Sequence, residues 1–310
     1  MITVVTLNPA LDKIFFVDGF KVGSMFRVKK VIKSAGGKGI NVSRVLSSLG
    51  AQAIATGFLA GDTGKWICDN IGSLGIENSF IWVDGETRTN INIIDRECMT
   101  ETEILESGPY IKESDLCSFL DVLKDTLKRT EVLICTGGLP EGVPVDFYKT
   151  LIEMAKSIGI KTILDASGDV LIEGIKAGPD FIKPNMKELS YAYGKSIESK
   201  EDVINACEEM IKSGVGSVIA SMGAQGALMV DKSNRMHIKP PKINALNAIG
   251  SGDSMTAGIA FGIVNGYSKE DMMRLGTACA VSNTQFMEIG MINIESVEEY
   301  KKNCEIEYIL

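Results

Sequence analysis

Strand-like and helix-like segments alternate along most of this chain, and that alternation leaves few folds open. In the second half, residues 132–135, 161–165, 181–183 and 217–220 read as strands. Helices read over 147–157, 170–177, 186–193 and 203–213. The first half does the same, with strands over 2–7 and 53–58 and helices over 40–49 and 63–74. The opening Ile2-Thr3-Val4-Val5-Thr6-Leu7 has the β-branched content of a buried strand. Such a rhythm predicts an α/β fold, a mostly parallel sheet flanked by helices.

Two stretches break the rhythm, residues 13–35 and 87–106. Polar and apolar residues alternate in parts of both, as in Thr89-Asn90-Ile91-Asn92-Ile93-Ile94 and Glu101-Thr102-Glu103-Ile104-Leu105. That pattern predicts half-exposed antiparallel strands pairing into a small separate sheet. A decorative hairpin pair would look the same, but Arg27, Lys29, Lys30 and Arg88 cluster there. A lid that closes over a site, excluding water, is the expectation. No linker, repeat or low-complexity segment interrupts residues 1–310, so one domain with two lid excursions is expected.

Bulk composition excludes more than it identifies. A net charge of −8 argues against general affinity for nucleic acid or anionic membranes. A phosphorylated substrate must therefore meet a local basic cluster. The seven cysteines are odd in number, scattered and without a Cys-x-x-Cys, so reduced thiols in a cytoplasmic protein are expected. The single histidine, His237, lies in a Pro-flanked polar stretch with no evident catalytic partner. The N-terminus is too short and uncharged for a signal peptide, and no stretch approaches a membrane span.

The chemistry concentrates in short runs. In Gly250-Ser251-Gly252-Asp253, two glycines flank a small residue before an apolar helix-like stretch. Bare backbone amides at a helix start favour an anion. An aspartate there would repel the anion, and makes sense if it takes a proton from a group that attacks the anion; that suggests phosphoryl transfer. Gly36-Gly37-Lys38-Gly39-Ile40-Asn41 leads into another helix, with Asn41 able to donate to and accept from sugar hydroxyls. It is neither a Walker A loop nor a dinucleotide fingerprint. Asp12 follows the first strand, where parallel folds hold ligands, although an exposed turn aspartate would space the same way. In Lys183-Pro184-Asn185-Met186-Lys187-Glu188, Asn185 and Glu188 share a helix face and suit a hydrated magnesium or a capping box, or both. Ser221-Met222-Gly223-Ala224-Gln225-Gly226 reads as a phosphate-contacting turn or a plain hairpin.

Together these runs resemble the PfkB (ribokinase-like) carbohydrate kinase family over essentially the whole chain. Gly250–Asp253 is similar to its C-terminal signature and Gly36–Asn41 to its N-terminal one. The resemblance is closest to the 1-phosphofructokinase and tagatose-6-phosphate kinase branch. It rests on Thr6-Leu7-Asn8-Pro9-Ala10-Leu11-Asp12, Gly85-Glu86-Thr87-Arg88, Thr102-Glu103-Ile104-x-Glu106-x-Gly108-Pro109 and Ile182-Lys183-Pro184-Asn185-x-x-Glu188. One departure stands out: Gly138, in Thr136-Gly137-Gly138-Leu139-Pro140, replaces a serine common in that branch.

The resemblance implies a three-layer ribokinase-like fold with a small β-sheet lid. It implies ATP-dependent phosphorylation of a ketohexose monophosphate, fructose 1-phosphate or tagatose 6-phosphate. Asp253 would be the general base, and the amides of Gly250, Ser251 and Gly252 the anion hole. Asp12, Gly37 and Asn41 would hold sugar hydroxyls, and Arg27, Lys38 and Arg88 the acceptor's own phosphate. Lys183, Ser221, Gly223 and Gly226 would meet the nucleotide, with Asn283 a candidate for the adenine pocket. Asn185 and Glu188 would hold Mg2+ through water. Apolar lid residues such as Phe15, Phe16 and Ile91 would allow a homodimer through the lid sheets. Two other readings stand beside this one: a kinase for an unphosphorylated sugar or nucleoside, and a silent sugar-phosphate sensor, against which an intact Asp253 argues.

Overall fold

The computed structural model describes residues 1–309. Eleven strands form one sheet. From one edge its order is Glu305–Tyr308, Arg235–Lys239, Ala227–Asp231, Ser217–Ser221, Phe181–Ile182, Lys161–Asp165, Val132–Thr136, Ile2–Thr6, Ala53–Leu59 and Glu77–Asn78. Ile81–Trp82 also pairs with Ala53–Leu59. Every pairing from Ser217–Ser221 to the Glu77–Asn78 edge is parallel, and the other three are antiparallel. The mostly parallel sheet expected from the alternation is present.

Neighbouring residues of each central strand point to opposite faces, and this divides the core in two. Val5, Leu133, Cys135 and Leu164 pack under the helices Glu113–Leu127, Phe147–Ser157, Gly168–Ile175 and Lys200–Lys212. Val4, Val132, Ile134 and Ile163 pack under Lys38–Ser48, Ser251–Val264, Lys269–Asn283 and Ile294–Asn303. Each fully buried aliphatic side chain contributes about 1.5–3 kcal/mol. Three layers result. On the second face the helices Ser251–Val264 and Lys269–Asn283 cross where Gly258 meets Gly276; a Cβ on Gly258 would stand 2.8 Å from the Gly276 Cα. No helix among the described residues is long and apolar enough to cross a membrane.

Helix boundaries differ from the periodicity where caps decide them. Periodicity places a helix start at 203, but the helix begins at Lys200 because Ser199 accepts the Asp202 amide in a capping box. Lys38–Ser48 also starts before its first apolar residue, there without a side-chain cap.

The two irregular stretches do build a separate four-stranded sheet, ordered Val31–Gly36, Ala10–Val17, Thr89–Asp95 and Thr100–Leu105. It departs from expectation in two ways. Its central pair, Ala10–Val17 with Thr89–Asp95, is parallel rather than antiparallel, because a long α/β excursion separates the two strands. Residues 18–30 are irregular. Asp95 accepts the amides of Gly19 and Phe20 at 2.9 and 2.7 Å, which turns the chain away from the sheet.

Candidate active site

The carboxyl ends of the parallel strands open into a cavity of about 1550 Å3, roofed by the small sheet. Of the site residues expected from the sequence, all but Arg27 and Asn283 line it.

The helix Ser251–Val264 starts at the cavity floor. Its N-cap, Gly250, has φ 78°, and a Cβ there would stand 2.2 Å from the Ile289 Cγ2, so only glycine fits. The Ser251 amide makes a long 3.3 Å contact with the Ala248 carbonyl. The amides of Gly250, Gly252 and Asp253 meet no acceptor among the described residues. A bare, positive helix end is therefore presented to the cavity. Asp253 is buried there and accepts from Asn41 Nδ2 at 2.8 Å. Burial, and then the neighbouring Asp165 carboxylate, push its carboxyl up to about 7, with Asn41, Lys38 and Lys183 opposing. A carboxyl poised there holds its proton loosely at neutral pH, as a general base requires.

Asp165 was not singled out in the sequence, yet it organises the floor. It ends the strand Lys161–Asp165 and is 1% exposed. Lys183 Nζ stands 3.1 Å from its Oδ2 and Lys38 Nζ 3.4 Å from its Oδ1, while the Thr256 hydroxyl donates to Oδ2 at 2.8 Å. Burial raises its pKa, but the two ammonium groups and the Thr256 bond outweigh burial and hold it below the usual carboxylate range. In turn Asp165, ahead of any other group, holds Lys38 well above the usual ammonium range. Lys38 also faces Glu188 Oε1 at 3.7 Å. These two carboxylates hold Lys38 at the floor. Lys183 Nζ lies beside Gly252, 3.2 Å from where a Cβ would be.

On the sheet-roofed side, Asp12, Gly37, Asn41 and Arg88 line the cavity together. Asn90 Nδ2 donates to Asp12 Oδ1 at 2.8 Å, and burial raises the Asp12 carboxyl against that bond. The side-chain Oδ1 atoms of Asn41 and Asn90 are buried without partners among the described residues. Arg88 donates through Nε to the Asn8 carbonyl at 3.1 Å, leaving its two η nitrogens without a partner among the described residues. Arg27 is placed differently from expectation: it sits exposed on the irregular 18–30 segment, outside the cavity. At Gly138, also exposed, a Cβ would meet nothing within 4 Å.

On the opposite side, Ser221 ends the first strand of a hairpin whose turn holds Gly223 and Gly226, and all three residues line the cavity. Of the two readings of Asn185 and Glu188, the capping box is present. Asn185 Oδ1 accepts the Glu188 amide and Glu188 Oε2 accepts the Asn185 amide, each at 2.9 Å, while both residues line the cavity. Among the described residues no cluster of three His, Cys, Asp or Glu could hold a metal. One free carboxylate oxygen beside a lysine suits a hydrated cation bridged to phosphates, not a protein cage. Leu246, Thr277, Val281 and Thr284 form an adjacent wall, absent from the sequence reading, in which the Thr277 hydroxyl is buried without a partner among the described residues. Asn283 is not part of that wall. Its amide is 1% exposed and already engaged, donating to the Ile249 carbonyl and accepting from the Gly290 amide, both at 2.9 Å. His237 also lies outside the cavity, with Nε2 2.8 Å from the Gln225 carbonyl.

A family model described as pfkB family carbohydrate kinase matches residues 3–288. A tagatose-6-phosphate kinase of Staphylococcus epidermidis is 36% identical over 311 residues, covering 99% of each protein. A Thermotoga maritima structure described as a possible 1-phosphofructokinase superposes with TM-score 0.91 at 27% identity, covering 100% of both chains. Phosphofructokinase-2 from Escherichia coli in complex with fructose-6-phosphate superposes with TM-score 0.89 at 26% identity, covering 98% of both.

Proposed function

The chain belongs to the pfkB family of carbohydrate kinases and has its ribokinase-like fold, and we propose that Asp253 drives transfer of the ATP γ-phosphoryl group to a ketohexose monophosphate, fructose 1-phosphate or tagatose 6-phosphate. One observation carries the proposal. The Asp253 carboxyl is held by Asn41 on the sugar-facing side and lies in the same helix turn as the unpartnered Gly252 amide beside Lys183. Base and anion site thus share one turn.

In this reading Asn41 and Asp12 orient the acceptor, and Asp253 takes the proton of the attacking hydroxyl. The amides of Gly250 and Gly252 with Lys183 and Lys38 neutralise charge on the transferring group. Arg88, with two free η nitrogens, meets the acceptor's own phosphate. Lys38 moves from that role to the transferring group, and Arg27 drops out of it. The Ser221–Gly226 turn and the Leu246–Thr284 wall receive the nucleotide. Mg2+, held through water at Asn185 and Glu188, would neutralise phosphate charge. The small sheet closes as a lid over the acceptor. Free thiols at all seven cysteines support a reducing, cytoplasmic setting. Exposed Ile104 and Leu105 on the outermost strand support a homodimer through the small sheets.

The test is ADP release across fructose 1-phosphate, tagatose 6-phosphate, fructose 6-phosphate, fructose and ribose. Turnover highest on one of the first two is expected. Turnover higher on a free sugar would overturn the acceptor assignment, and none on any would favour a sensor.

A further inference from the structure

Asn283 closes the helix Lys269–Asn283, outside the cavity, with both ends of its amide engaged. What it joins is informative. Nδ2 donates at 2.9 Å to the carbonyl of Ile249, the residue immediately before the N-cap Gly250. Oδ1 accepts at 2.9 Å from the amide of Gly290. Gly290 lies flat against Asn41: a Cβ there would stand 3.1 Å from the Asn41 Cα and 3.2 Å from its carbonyl oxygen. Its neighbour Ile289 occupies the space a Gly250 Cβ would fill, and accepts at 3.1 Å from Arg44 Nη1 through its carbonyl. One buried amide therefore ties the anion-binding turn to the segment that backs the residue holding Asp253.

We infer that Asn283 is a positioning residue for phosphoryl transfer, clamping Ile249 to Gly290 and so fixing the Gly250–Gly252 amides relative to the Asn41–Asp253 pair. The inference rests on the phosphotransfer reading above. A preorganised anion site loses its value when its donors wander, because misplacement on the ångström scale is enough to cost about a hundredfold in rate. Asn283 touches neither base nor anion, so its effect falls on turnover rather than on affinity.

The test pairs Asn283→Ala with Ser282→Ala. Ser282 precedes it on the same helix, is equally buried, and anchors a different point of the same loop, accepting the Asn293 amide at 2.9 Å. Asn283→Ala is expected to lower kcat about tenfold or more with KM for ATP and for the sugar phosphate nearly unchanged. In the ligand-free protein it is expected to speed hydrogen exchange at the amides of 250–253 severalfold. Ser282→Ala is expected to do neither at a comparable loss of Tm. Asn283→Asp keeps the acceptor for Gly290 but sets a carboxylate oxygen against the Ile249 carbonyl; exchange rises here too, even if the alanine variant folds poorly. Unchanged exchange in both Asn283 variants overturns the inference. So does a kcat loss matched by Ser282→Ala, or a raised KM for ATP with kcat kept, which marks a nucleotide contact. If the wild-type protein phosphorylates no sugar phosphate, the functional reading falls, while exchange still decides the clamp.

Discussion

Asn41 and Asp253 lie 212 positions apart in the chain and meet at 2.8 Å, the Asn41 amide donating to the Asp253 carboxylate. Each opens a helix on the same face of the central sheet, so the two glycine-rich turns converge on one point.

Replacing Asp253 by asparagine should lower kcat by about 10²–10⁴ while ATP binding, read by calorimetry, stays close to wild type. Stability supplies a second readout. Because burial raises the Asp253 carboxyl to about 7, the folded state keeps a proton that the unfolded chain releases near 4. Its ionisation therefore erodes stability as pH rises from about 4 to 7, and the full penalty applies above 7. The substituted amide carries no such penalty, so the variant should gain Tm over wild type at pH 8 and little at pH 4. Near-normal turnover would remove Asp253 from the base role.

As the proposed base, the same carboxyl should set the acid limb of the rate profile. Log kcat/KM should rise with pH, bend near 7 and level off above it, where Asp253 is ionised. Asp165→Asn removes a like charge and leaves Lys38 and Lys183 less neutralised. Both changes favour the Asp253 carboxylate, so the limb should move to lower pH even as kcat falls. A limb that stays in place would show that Asp165 does not act on Asp253.

Much of this was legible in the sequence, and the exceptions share a cause. Central strands and helices follow from apolar periodicity and turn residues, which are local. Asp12, Asn41 and Asp253 were found because each sits beside glycine or at the end of a recognisable strand. Asp165 also ends a recognisable strand and escaped notice because no glycine run marks it; the strand-end rule that found Asp12 applies equally to it. Arg27 and Asn283 lie outside the cavity for a different reason. Where a polar side chain goes depends on what it meets: Arg27 is exposed on an irregular segment, and backbone groups on either side claim the Asn283 amide. The parallel pairing within the small sheet was hidden too, since alternation reveals a face but not a strand's direction.

Arg88→Ala should raise KM for the sugar phosphate about tenfold or more and leave KM for ATP within a small factor, since a lost charge-assisted contact is worth about 1.5–3 kcal/mol. Initial-rate kinetics varying each substrate in turn will separate the two. Equal shifts in both would place Arg88 elsewhere.

Glu188→Gln keeps an oxygen to accept the Asn185 amide, so the helix cap and Tm should survive. It removes the charge facing the cavity. The Mg2+ concentration for half-maximal rate should rise severalfold, read by titrating the metal at fixed ATP. An unchanged requirement would restrict Glu188 to capping.

The parallel centre of the small sheet bears on how the molecule is made. Asp12 and Asn90, bonded across it, are 78 positions apart, and the chain between them crosses the main sheet before it returns. Neither strand can find its partner by a local turn. The central pairing of the roof is consequently slow to form beside the two nearer antiparallel pairings that flank it. A nascent chain released before residue 95 exposes Ala10–Val17 as an unpaired edge, the feature that invites association with other chains.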